Sequence, residues 1–239
     1  MPYQRSVSQP LDKRTECPPS LRRKIRSFVK RQGRTSKRQL DAINTLMPRY
    51  GIKFSGKPFD LALLFEREAP TVVEIGFGMG DTLARMALDN PQINYLGIEV
   101  HTPGIGNLLA TIDEHNISNI RIINHDAVEV LQQSVTDGAL DRVQIFFPDP
   151  WPKKRHHKRR LVQPNFITLL SRKIKSGGVL HIATDWENYA QSIEEMLLTN
   201  SKFTRLPGDT PNQRPTTKFE KRGLELGHGV WDLIYGRKL

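Results

Sequence analysis

Between Thr71 and Gly80 the chain reads TVVEIGFGMG, and no other stretch restricts its fold so strongly. A β-branched run (Thr71, Val72, Val73) leads into an acid, Glu74. Glycines then stand at every second position, Gly76, Gly78 and Gly80, ahead of a helical segment, DTLARMAL. Strand, glycine turn and helix in that order form the opening unit of a nucleotide-cofactor α/β fold. Glycine reaches positive φ without strain and lets a ligand approach the main chain, so Gly76 and Gly78 are candidate cofactor-binding positions.

The same alternation continues downstream. Strands are predicted at 95–100, 119–127, 141–150 and 179–185. Helices are predicted at 81–89, GIGNLLATIDEHN, VEVLQQSV, NFITLLSRKI and ENYAQSIEEMLL. A turn, SGG, precedes the fifth strand, and after a polar loop GVWDLIYGRK supplies a last one. Upstream, QLDAINTLM and FDLALLFERE read as helices. Strands alternating with helices imply a mostly parallel sheet covered on both faces, the α/β, Rossmann-like class. The 239 residues suffice for one such domain over 21–239, with 1–20 as a mobile tail and 21–40 as a basic arm. That arm holds nine Lys or Arg and no acid, with a thin apolar stripe of Leu21, Ile25, Phe28 and Val29 to seat it.

Ligands of a parallel sheet bind beyond the carboxyl ends of its strands. Acids recur there: Glu74, Glu99, Asp126, Asp149 and Asp185. A single one would pass as a helix N-cap, whereas five on successive strands point to a site. Glu99 follows Gly80 by nineteen residues, close to the offset of an acid that binds ribose hydroxyls. Asp126 is placed to accept from an adenine amino group. A nicotinamide dinucleotide would call for G-x-G-x-x-G and an acid-free turn for its pyrophosphate. Here the glycines run G-x-G-x-G behind Glu74, which suits a cationic cofactor, S-adenosyl-L-methionine.

The second distinctive stretch is FFPDPWPKKRHHKRR, residues 146–160. Pro148 and Pro150 hold Asp149 in a stiff, non-helical turn, and Trp151 offers a flat surface for a base. Six cations and two histidines then fill the eight positions Lys153 to Arg160. Beside a cofactor edge, such a run fits phosphate binding. The whole chain agrees, with 36 Lys and Arg against 25 Asp and Glu, a formal charge of +11 that favours a nucleic-acid partner. His156 and His157 lack a third ligand nearby, so no metal is expected, and protonation among these cations is disfavoured. The lone Cys17 rules out an intramolecular disulfide, and no apolar run suggests a signal peptide or membrane span. A cytoplasmic protein with no membrane partner is expected.

In EIGFGMG, GIEVH, FPDPWPKKRHHKRR, ATDW and PTTKFEKRG, occurring in that order, the chain resembles the bacterial tRNA (guanine-N7-)-methyltransferases. The resemblance covers residues 21–239 and implies a class I methyltransferase fold. The implied reaction carries a methyl group from S-adenosyl-L-methionine to N7 of a guanine in the tRNA variable loop. It further implies cofactor contacts at Glu74, Glu99, Asp126 and Asp149, with Asp149 also catalytic. Substrate-binding positions fall at Lys153, Asp185, Thr217, Lys218, Phe219 and Glu220. RNA contacts fall at Arg155, His156, His157, Lys158, Arg159 and Arg160. Oligomeric state is left open. So is the division of labour between Asp149 and Asp185, either of which can hold the guanine N1 and N2 donors. Two other readings stay in view: a methyltransferase acting on another nucleic acid, and an RNA-binding protein that keeps the fold as a scaffold.

Overall fold

The computed structural model describes residues 33–207, 214–215, 220 and 229–239. The tail at 1–20, the apolar stripe at 21–29, and Thr217, Lys218 and Phe219 lie outside the described residues. The chain enters on helix α1 (Lys37–Tyr50), and Ser36 starts it through a reciprocal cap. Ser36 Oγ accepts from Gln39 N at 3.3 Å while Gln39 Oε1 accepts from Ser36 N at 2.8 Å. A single turn, α2 (Leu61–Phe65), is capped by Asp60.

The core alternates as expected: β1 (Thr71–Ile75), α3 (Asp81–Asp89), β2 (Asn94–Ile98), α4 (Thr102–Glu114), β3 (Ile120–Ile123), α5 (Ala127–Gln133), β4 (Leu140–Phe146), a basic 3₁₀ helix (Lys154–Arg159), α6 (Pro164–Lys173), β5 (Ile174–Thr184), α7 (Glu187–Leu198), β6 (Phe203–Arg205) and β7 (Trp231–Arg237). The sheet order is β3-β2-β1-β4-β5-β7-β6. The pairs from β3 to β5 are parallel, and β7 runs antiparallel to both β5 and β6.

Alternate residues of each strand feed two cores. Val73 and Ile75 of β1 pack with Val130 and Leu131 of α5, Phe166 and Leu170 of α6, and Ile193 and Leu197 of α7. Val72 faces the opposite way, with Leu83 and Met86 of α3 and Leu108 and Ile112 of α4. Helices therefore cover both faces, as a parallel sheet requires.

Two features differ from expectation. The SGG turn is no break before β5 but a bulge inside it: Leu140 pairs with Ile174 and Arg142 with Val179, so Lys175–Gly178 loop out, with Gly177 at φ 79°. The loop after α7 contains β6, three residues that, among the described residues, pair only with β7. Three residues carry too little alternation to be read from sequence. Among the described residues no helix is long and apolar enough to cross a membrane.

Candidate active site

β1 ends at Ile75, and the glycine turn that follows is left-handed at Gly76 (φ 75°), Gly78 (φ 58°) and Gly80 (φ 81°). A Cβ would meet nothing within 4 Å at Gly76 or Gly78, so backbone conformation is what selects glycine there. Gly104 is selected differently. It lies in the first turn of α4, and its Cβ would come within 1.8 Å of the Gly78 carbonyl oxygen. The helix thus packs directly on the turn.

Glu99, one residue beyond β2, ties this turn to the next strand. Its Oε2 accepts from Gly78 N at 2.9 Å, and its Oε1 accepts from Val100 N at 2.6 Å and His101 N at 3.0 Å. Asp126 caps α5, its Oδ1 accepting from Val128 N at 2.9 Å. Glu99, Asp126 and Asp149 all line one pocket of about 270 Å³, floored by Ile75, Gly76 and Phe146. That is the size class of a small-ligand site, not of an RNA groove.

Glu74 departs from the expectation. It is the fourth of five residues in β1, 2% exposed, and lies behind the lining residues Ile75 and Gly76. Burial, reinforced by the Glu99 charge, pushes its carboxyl up to about 8. Its Oε2 has no hydrogen-bond partner among the described residues. Glu74 is therefore mostly neutral near pH 7, and the acidity of the pocket wall comes from the other three carboxylates.

The Asp149 turn leaves the end of β4. Phe147 (φ 51°) and Trp151 (φ 43°) both sit in the left-handed region, which costs a bulky residue energy, and they bracket Pro148-Asp149-Pro150. Phe147 N donates to Ala183 O at 2.8 Å, pinning the entrance to β5. Asp149 itself is exposed at the pocket edge.

The basic run follows as the 3₁₀ helix. Lys153, Lys154, Arg155, Lys158 and Arg159 are exposed, and His156 and His157 are half-buried. Desolvation and then the charges of Arg155, Arg159, Lys153 and Lys158 lower the His156 pKa, in keeping with a neutral ring. Trp151 is less open than its sequence suggests. The Arg159 guanidinium lies 5.1 Å from its ring centroid, and the His156 ring meets it edge-on at 5.9 Å.

Arg160 is turned inward and only 4% exposed. Its Nε donates to Pro150 O at 2.8 Å and its Nη2 to Asn188 Oδ1 at 3.0 Å, and the guanidinium stacks 4.6 Å from the Tyr189 ring. It braces the exit of the turn against α7, so it is not part of the exposed surface predicted for 155–160. Asp185, half-buried, directly follows β5. Glu220 is half-buried and paired with Arg214. Sequence reasoning passed over Arg214, as well as His101 and His125 of the pocket wall. The signal for the two histidines was their adjacency to the strand-end acids. Among the described residues no cluster of His, Cys, Asp and Glu could hold a metal ion.

Comparison with known proteins agrees with this architecture. A family model described as a putative methyltransferase matches residues 68–233. A tRNA (guanine-N(7)-)-methyltransferase of Nitrosospira multiformis is 55% identical, covering 92% of this chain and 97% of the relative. One from Serratia proteamaculans is 53% identical, covering 90% and 92%. Among solved structures, a 16S rRNA (adenine(1408)-N(1))-methyltransferase from Catenulisporales acidiphilia, crystallised with its cosubstrate, superposes with a TM-score of 0.51 at 17% identity. The match spans 78% of this chain and 96% of that one, and it supports the class I methyltransferase fold. With more than half of the chain matched by the family model and over nine-tenths by these relatives, the chain belongs to the tRNA (guanine-N(7)-)-methyltransferase family.

Proposed function

We propose that this chain methylates N7 of a guanine in the tRNA variable loop, with S-adenosyl-L-methionine as donor. The observation that carries the reading is the placement of Asp149. A stiff turn holds it at the mouth of an acid-lined pocket, immediately before a run of exposed cations.

The pocket residues fit the cofactor by their chemistry. Glu99 Oε2 accepts a single backbone bond and keeps acceptor capacity suited to a ribose hydroxyl, while Oε1 is already taken by two backbone donors. Asp126 engages the backbone through Oδ1, leaving Oδ2 for an amino donor. The bound cofactor supplies an electrophilic methyl group on a sulfonium.

Guanine N7 carries an in-plane lone pair and no proton at neutral pH, so no general base is required. What remains for the protein is alignment, together with stabilisation of a base that becomes cationic. Asp149 serves both ends, accepting from the base and setting a fixed negative charge beside it. Asp185 and Glu220 supply further acceptors on the substrate side. Exposed Lys153, Arg155, Lys158 and Arg159 neutralise tRNA phosphates, while Arg160 holds the turn behind them.

The test uses labelled cofactor and unmodified tRNA, with chain cleavage at N7-methylguanine as readout. Label should appear at the variable-loop guanine and vanish when that guanine is replaced. Asp149→Ala should abolish transfer yet still bind cofactor. Near-wild-type turnover by that variant, or label that survives the base replacement, would overturn the reading.

A further inference from the structure

Arg214 lies outside every motif so far given a role, yet it is the most heavily engaged cation near the pocket. Its side chain is only 4% exposed. Its Nε donates to Asp232 Oδ1 and its Nη2 to Asp232 Oδ2, both at 2.9 Å, a two-pronged grip on β7. On the other side its Nη2 donates to Glu220 Oε1 at 3.2 Å, and its Nη1 also meets Glu220 Oε2. Asp232 is held in turn by His181 of β5, whose Nε2 lies 2.7 Å from Asp232 Oδ1. The guanidinium also lies 5.2 Å from the ring centre of Phe147 and 5.6 Å from that of Phe146. Both rings line the cofactor pocket, and Phe147 is the left-handed residue at the entrance to the Asp149 turn.

One planar cation therefore touches three parts of the site: Glu220, Asp232 in the antiparallel half of the sheet, and Phe147 of the strained turn under Asp149. Cation–π contact with the buried Phe146 ring and the half-buried Phe147 ring, together with two carboxylate pairs, far exceeds what a surface arginine makes. An aliphatic side chain of similar length would fill the volume, but it would leave the half-buried Glu220 and the more exposed Asp232 without the cation they share. The charges are also balanced locally. Burial alone would lower the Arg214 pKa, but the Glu220 and Asp232 carboxylates outweigh it and raise the pKa above the usual arginine value. The group is a permanent cation fixed between two anions.

We propose that Arg214 is a positioning residue for methyl transfer. It sets Glu220 relative to the turn carrying Asp149, acting through both without touching the reacting atoms. The assignment rests on the function proposed above, in which Asp149 and Glu220 face the guanine.

The experiment compares wild type with Arg214→Met, Arg214→Lys, Glu220→Gln and the double variant Arg214→Met/Glu220→Gln. Arg214→Met should lower kcat by about 100-fold, the loss expected when a catalytic geometry slips by roughly 1 Å. Cofactor affinity, measured by calorimetry, should stay at the wild-type value. Arg214→Lys should recover part of the rate, since an ammonium restores the charge but not the fork. The double variant should lose little more than Glu220→Gln alone, because both changes break one linkage. Hydrogen exchange gives an independent reading. In Arg214→Met the amides of Phe147, Asp149 and Trp151 and the peptide containing Glu220 should exchange faster together, with the α5 and α6 amides unchanged. A purely structural role would instead raise exchange throughout and lower cofactor affinity, which would overturn the proposal. So would losses that multiply in the double variant, or unaltered exchange at the Asp149 turn. Absence of N7 methylation by the wild type would sink the functional reading alone, and the exchange data would still decide on Arg214.

Discussion

Arg160 and its neighbours show how one basic run divides its labour at the level of single residues. Arg160→Ala removes the bond to Pro150, the bond to Asn188 and the stack on Tyr189, and should destabilise the protein by about 3 kcal/mol in urea melts. Arg155→Ala should leave the melts unchanged. The run KKRHHKRR looks uniform in sequence because two of the groups that capture Arg160, Asn188 and Tyr189, come from α7, 28 and 29 residues later. Glu74 is a second residue whose setting decides its chemistry. Its folded pKa of about 8 exceeds the ordinary 4.5, so the folded chain holds a proton that the unfolded chain has released across that window. Its contribution to stability is therefore present below about pH 4.5 and is lost as pH rises toward 8. Glu74→Gln, which does not titrate, should flatten the fall in stability between pH 5 and 8, by an amount on the order of a few kcal/mol. Urea midpoints at the two pH values check this; parallel curves for wild type and variant would refute it. Sequence marked Glu74 as a strand-end acid because it stands two positions before the first glycine. All five residues of β1 are buried, so no alternation betrayed that its carboxylate lies beneath the pocket surface. Asp149, by contrast, was legible, since flanking prolines constrain the backbone locally and need no distant partner.

Between elements, α4 packs on the glycine turn so closely that Gly104 has no room for a side chain. Gly104→Ala would drive a methyl group into the Gly78 carbonyl oxygen, and the turn or the helix must yield. We expect a stability loss of about 1–3 kcal/mol, typical of overpacking. Cofactor binding should weaken about tenfold, equivalent to roughly 1.4 kcal/mol at the site. Calorimetry with S-adenosyl-L-methionine tests it, and unchanged affinity would show that the turn absorbs the methyl without consequence for the ligand. The strand and helix order was readable because hydrophobic runs, glycine turns and strand-end acids recur in step. Register was not readable. The four-residue bulge at Lys175–Gly178 fixes how β5 meets β4, and it appears in sequence only as a turn signal, SGG. Strand β6 escaped because FTR is held by its pairing with β7 and not by any propensity of its own.

Across the molecule, charge and pocket are segregated. The acids Glu99, Asp126 and Asp149 line the pocket while the cations of the 3₁₀ helix face outward next to it. Replacing Arg155, Lys158 and Arg159 together by Ala should weaken tRNA binding. The plot of log affinity against log salt should become shallower by about 2–3, near one unit for each phosphate contact removed. An unchanged slope measured by filter binding would place the phosphate track elsewhere. The sheet order also bears on the order in which the strands can assemble during synthesis. Every pocket acid is contributed by the half of the sheet that leaves the ribosome first. Strand β7, far later in the chain, inserts between β5 and β6, and carries the aspartate that anchors Arg214. Until β7 arrives, β5 exposes an open edge and β6 has nothing to pair with. A nascent chain could thus assemble its cofactor half early while remaining catalytically silent. Docking of β7 then brings Asp232 to Arg214 and pairs both open edges at once.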